Sequence, residues 1–123
     1  MKLRESYTCP LELVHDMIKG KWKTIIIFQL RNELHHSIAG ITQKMLLEQL
    51  RELKHFGLID KKTYDGYPLK VEYFLTGQGE KMLSAIKIMQ EIGIDYMVGH
   101  GMTEILDEKG ICYEPLPYVR KSK

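Results

Sequence analysis

Within residues 41–79 the apolar residues change period twice, and few small folds accommodate both changes. Leu46, Leu50 and Leu53 stand at i, i+4 and i+7, the repeat that gathers side chains on one face of an α-helix. Thr42 in front of them is a good N-cap, because its hydroxyl can accept from an N–H that the first turn leaves unpaired, and Gly57 supplies the stop. From Leu58 the period falls to two. LIDKKTY and KVEYFL are rich in β-branched and aromatic residues, with Val71, Tyr73 and Leu75 alternating onto one side. Asp65-Gly66 between them is a hairpin pair, and Pro68 stands where no ladder hydrogen bond is required of it. The spacing predicts a short helix, a two-stranded hairpin and, after Thr76 as a second cap, a long helix over residues 77–98.

Upstream, Leu11, Val14 and Ile18 recur at helical spacing after Thr8, the expected N-cap, with Pro10 in the first turn and Gly20 at the end. KWKTIIIFQLR is apolar almost all round. Its β-branched run suits a strand, but its place between two helical patterns predicts a buried helix. A short third segment, NELHHSI, closes at Ala39-Gly40. Three helices, a fourth with a polar outer face and then a hairpin wing make an α+β, mainly α chain on the winged helix-turn-helix plan. On that plan residues 1–98 form the winged domain with its long last helix. Residues 99–123 form a C-terminal extension, helical in pattern at MTEIL and basic at its end, VRKSK.

A chain of 123 residues fits one domain with a real core. No apolar run approaches the roughly 20 residues that cross a bilayer, and MKLRESYTCP lacks the apolar stretch of a signal peptide, so a soluble, cytoplasmic protein with no membrane partner is expected. Cys9 and Cys112 lie far apart without CxxC spacing, and the five histidines show no HExxH arrangement. No metal or cofactor is expected. No nucleophile, Gly-rich phosphate loop or paired carboxylate is placed by a recognisable motif either, which argues against an enzyme.

The outer face of the fourth helix carries Lys44, Leu47, Glu48, Arg51 and His55, with Gln43 and Lys54 beside it. From a helix in the major groove Lys44 and Arg51 can reach base edges or phosphates. Lys61, Lys62 and Lys70 in the hairpin can reach flanking phosphates of double-stranded DNA. Between Thr42 and Lys70 six basic residues face four acidic ones, and the whole chain has a net charge of +2, so charge alone fits an ordinary solvated face as well. The long helix has two adjoining apolar stripes. Met82, Ile86, Met89, Gly93 and Met97 form one, and Ala85, Ile88, Ile92 and Tyr96 the other, an arc wider than a helix on a single core needs. The surplus predicts a homodimer, with Met82, Ile86, Met89, Ile92, Gly93 and Tyr96 as its contacts. The competing reading is a winged-helix protein-interaction module without specific DNA binding. A stable homodimer that hides the long helix would speak against it.

Four stretches carry a resemblance: CPLELVHDMIKGKWK, GITQKMLLEQLREL, the following GLI, and YPLKVEYFLTGQG. In this order and spacing they resemble the HxlR-type winged helix-turn-helix transcriptional regulators, relatives of the MarR proteins. The resemblance implies a homodimeric DNA-binding regulator, a repressor of nearby genes, reading a pseudo-palindromic operator. It implies a recognition helix that starts at Thr42 and presents Gln43, Lys44 and Arg51, with Lys70 at the basic wing position. The chain departs from the family between the second and third helices, where FQLR runs straight into NELHHSI without the usual Gly-containing turn and aromatic residue. Leu47 and Glu48 also stand where the family often has uncharged polar residues. Cys9 precedes Pro10 at the start of the first helix, where the helix dipole favours a thiolate, although a small buried apolar role is equally ordinary for a cysteine. The resemblance adds redox sensing, since family members commonly carry a cysteine here and several sense oxidants, quinones or aldehydes with it. A small reactive effector is the partner this implies.

Overall fold

A computed structural model describes residues 3–32, 40–66 and 70–111. The segment NELHHSI beyond Asn32, Pro68, Cys112 and the basic tail lie outside the described residues. The chain divides into two compact units, Met1–Ser84 and Ala85–Lys123.

In the first unit the helices are α1 (Pro10–Met17), α2 (Trp22–Gln29) and α3 (Gln43–His55), with a single 3₁₀ turn at Leu30–Asn32 after α2. Strands β1 (Ile59–Tyr64) and β2 (Lys70–Leu75) pair antiparallel from Ile59 opposite Leu75 to Tyr64 opposite Lys70, and α4 (Gly77–Gly99) begins two residues later. The helix and strand periods are thus met where the sequence changes from one to the other. The core draws Ile26 and Ile27 from α2, Leu50 and Leu53 from α3, Leu58 and Ile59 from the entry to β1, and Leu83 from α4. Each such side chain contributes about 1.5–3 kcal/mol by leaving water. The second unit holds residues 85–99 of α4 and the short α5 (Glu104–Glu108), where Ile86 and Leu106 are buried.

The N-cap of α1 is Cys9 rather than the expected Thr8. Cys9 has extended backbone and its carbonyl accepts from the Glu12 N–H at 3.2 Å, while the Thr8 hydroxyl donates to the Glu12 carboxylate at 3.0 Å. With Pro10 fixed in the first turn, the helix starts one residue later than the hydroxyl alone suggests.

How α3 ends explains the spacing of the next elements. Gly57 has φ +78°, a left-handed conformation that suits glycine, and its N–H donates to the Lys54 carbonyl while the Leu58 N–H donates to that of Leu53. This pair of bonds reverses the chain directly into β1. The wing returns to the same point. The Thr76 N–H donates to the Leu58 carbonyl at 3.1 Å, and the Thr76 hydroxyl donates to the Gly57 carbonyl at 2.6 Å while accepting from the Gly79 N–H at 3.1 Å. Thr76 therefore caps α4 and ties its first turn to the end of α3. Gly79 lets the helix approach so closely, because a β-carbon there would run into the Leu58 carbonyl. GLI and TGQG are two halves of one joint.

Candidate nucleic-acid interface

α3 sorts its side chains cleanly. Thr42 caps it, its hydroxyl accepting from the Met45 N–H at 3.1 Å. Leu50 and Leu53 are buried and Leu46 half-buried, so the opposite face is pushed outward: Gln43, Lys44, Leu47, Glu48, Arg51, Lys54 and His55 are all exposed. Among the described residues Lys44 and Arg51 hold no ion pair, which leaves their charges available to a polyanion. Glu48 stands between them on the helical period, close enough to disfavour phosphate and able to accept from a cytosine amino group.

The wing presents two faces, and its lysines divide between them. Cross-strand register puts Lys62, Tyr64, Lys70 and Glu72 on one face, with Lys62 opposite Glu72 and Tyr64 opposite Lys70. The Lys62 and Lys70 ammonium groups lie 5.1 and 5.5 Å from the centre of the Tyr64 ring, and the Tyr64 hydroxyl donates to Glu72 at 3.1 Å. Lys70 also pairs with Glu72 at 3.1 Å, so part of its charge is spent within the wing. Lys61 is exposed but belongs to the other face, opposite Tyr73 and in line with buried Ile59. Neighbours in a strand point to opposite sides, so Lys61 and Lys62 cannot serve one face.

One polar residue escaped the sequence reading. Lys23 in α2 is only 2% exposed, and its ammonium group donates to Gln49 Oε1 at 2.8 Å and pairs with Glu52 Oε2 at 3.2 Å, both on α3. The available sign was a lone lysine inside an otherwise apolar helix, because a charge buried there must be paired.

Cys9 is exposed rather than buried. The segment before it is held down by Arg4, whose Nε donates to Asp16 Oδ2 at 2.9 Å and whose Nη2 lies 3.1 Å from Glu12 Oε1. The hydrogen bond from Arg4 holds the Asp16 carboxyl below the usual carboxylate range.

Along residues 85–99 of α4 the expected dimer contacts separate into two groups. Met89, Ile92 and Tyr96 are exposed and share a face with exposed Ile88. Met82 and Gly93 are half-buried, and Ile86 is buried in the single chain. At 6% exposure Ile86 has little surface left to offer a second chain. The two stripes look alike in sequence because each is apolar, but the first is divided, with Ile86 buried and Met89 exposed, while the second (Ala85, Ile88, Ile92 and Tyr96) is exposed throughout.

The chain matches the HxlR-like helix-turn-helix family over residues 17–100. It is 39% identical over 94 residues to the HTH-type transcriptional regulator YkvN of Bacillus subtilis (strain 168), covering 72% of this chain and 77% of that protein. Among solved structures it is similar to the redox regulator HypR in its oxidized form, at 38% identity and a TM-score of 0.63, covering 71% of this chain and 96% of the other. It is also similar to a MarR-family transcriptional regulator from Porphyromonas gingivalis W83, at 37% identity and a TM-score of 0.65, covering 76% and 97%. The winged-helix arrangement of α3 and the hairpin is common to this group.

Proposed function

The chain belongs to the HxlR-like helix-turn-helix family of transcriptional regulators, and from that premise we propose that it represses nearby genes by binding a pseudo-palindromic operator as a homodimer. In this reading α3 enters the major groove. Gln43, Lys44, Leu47, Glu48 and Arg51 meet bases and the adjoining backbone, with Thr42 and Lys54 at the two ends of the contact. Lys62 and Lys70 hold a flanking phosphate from the Tyr64 face of the wing, while Lys61, on the other face, points away from it. The observation that carries the reading is the division of α3: one face buried through Leu50 and Leu53, the other exposing Lys44 and Arg51 without ion pairs among the described residues.

Dimerisation through Ile88, Met89, Ile92 and Tyr96 supplies the second reading head that a two-fold operator requires. The exposed Cys9 thiol is the proposed sensor of an oxidant or electrophile, a reading supported by the similarity to a redox regulator and by its place at the first turn of α1.

Selection of duplexes from random DNA by the purified protein, with and without a thiol-reactive oxidant, tests both parts. A pseudo-palindrome recovered only without oxidant is expected, and Lys44→Ala with Arg51→Ala should abolish recovery. Binding to the selected duplex no tighter than to random DNA at physiological salt would overturn the reading.

A further inference from the structure

Lys23 is the only charged side chain fully buried among the described residues, and burial of an ion pair does not explain itself by stability. Replacing such a pair with apolar groups of similar volume is often neutral or stabilising, so its retention calls for another benefit. The position of its two acceptors supplies one. Gln49 and Glu52 are three residues apart and so share one flank of α3, while their neighbours Leu50 and Leu53 are buried and Glu48 and Arg51 are exposed. Lys23 thus grips α3 along the border between its core face and its outer face.

We propose that Lys23 is a positioning residue for sequence reading, one that fixes the rotation of α3 about its own axis and holds the Glu52 carboxylate away from the DNA-facing side. The proposal rests on α3 being the DNA reader. Apolar contacts are non-directional and leave a helix free to settle at neighbouring rotations. Turning a helix of about 5–6 Å outer radius by about 20° displaces its outer side chains by about 2 Å. A base-edge hydrogen bond tolerates only tenths of an ångström. A directional hydrogen bond to Gln49 at 2.8 Å and an ion pair with Glu52 at 3.2 Å, both from a side chain anchored on α2, oppose that turn. The same ammonium group balances Glu52, whose side chain is 24% exposed on the Glu48 side of the helix. Without it, a carboxylate at the rim of the reading face adds its charge to an approach that must be made toward phosphates.

The test compares wild type, Lys23→Met and Lys23→Met/Glu52→Met for three properties. These are thermal unfolding, affinity for the duplex selected by wild type and for random duplex, and the salt dependence of each. The double variant removes both charges at near-constant volume, so a folding defect caused by the loss of one charge alone does not hide the answer. The double variant is expected to keep wild-type affinity for random DNA and a wild-type salt slope, because the phosphate contacts remain, while Lys23→Met alone also binds random DNA more weakly; both are expected to lose at least about tenfold in discrimination, the size of one mismatched base pair. A folded variant that discriminates as well as wild type would overturn the proposal. So would a double variant that fails to fold, since the pair would then be holding the core. If wild type itself selects no duplex, the DNA-reading function fails instead, and the two failures stay distinct.

Discussion

α3 and residues 85–99 of α4 each bury one side and leave the other open, but they leave opposite chemistries open. α3 exposes Gln43, Lys44, Glu48 and Arg51, groups that water already satisfies, so this face is stable alone and gains a partner only where charge and hydrogen bonding are offered. α4 exposes Ile88, Met89, Ile92 (64% exposed) and Tyr96, each of which forgoes roughly half of the 1.5–3 kcal/mol of full burial while it faces water. Such a face favours a partner of its own kind. A two-fold DNA reader needs both: one helix face matched to a polyanion, the other to a second copy of itself.

The contrast can be broken most severely at its foundation. Leu53→Ala removes a side chain with 0% exposure from the inner side of α3, and unfolding in denaturant should show a loss of about 2–5 kcal/mol, with DNA binding lost alongside. A small loss would mean that α3 is held chiefly by other contacts.

Charging the apolar face comes next. Ile92→Glu with Tyr96→Glu should convert the proposed dimer to a monomer in sedimentation, weakening association by at least about 100-fold, which corresponds to ~3 kcal/mol. Its unfolding midpoint at high dilution should stay near that of wild type, because both residues are exposed in the single chain. An unchanged dimer would place the interface elsewhere.

On the polar face Arg51→Ala should cost about 1–3 kcal/mol of operator binding and leave the dimer untouched, a pairing of results that the α4 substitutions reverse. Equal loss on random DNA would assign Arg51 to phosphate rather than bases. The smallest effect separates the two faces of the wing. Lys62→Ala or Lys70→Ala should each lower the salt slope of binding by about 1, and Lys61→Ala should leave it unchanged. A matching drop for Lys61 would show that the opposite wing face meets DNA.

The caps and periods of this region were legible because each depends on residues a turn or two apart. Thr42, the Leu46-Leu50-Leu53 stripe, Gly57, the Asp65-Gly66 hairpin and the Thr76 cap all stand where the spacing put them. α1 starts one residue later than Thr8 predicts, since Thr8 has the better capping side chain but Pro10 and the Cys9 backbone decide the geometry. Lys61 and Lys62 are adjacent in the chain, yet the strand period of two puts them on opposite faces.

Sequence by itself determined the order of elements, the outward placement of Lys44 and Arg51, and the membership in a family of regulators, because periodicity, capping and motif spacing are local properties of the chain. Only the tertiary structure decided that Ile86 on α4 is buried while Met89, on the same apolar stripe, stays open together with Ile92. It alone revealed that Thr76 ties α4 to the end of α3, and that Lys23 is buried against Gln49 and Glu52. Those outcomes depend on which surfaces meet across tens of residues, and a burial that depends on a distant partner leaves no period of its own in the chain.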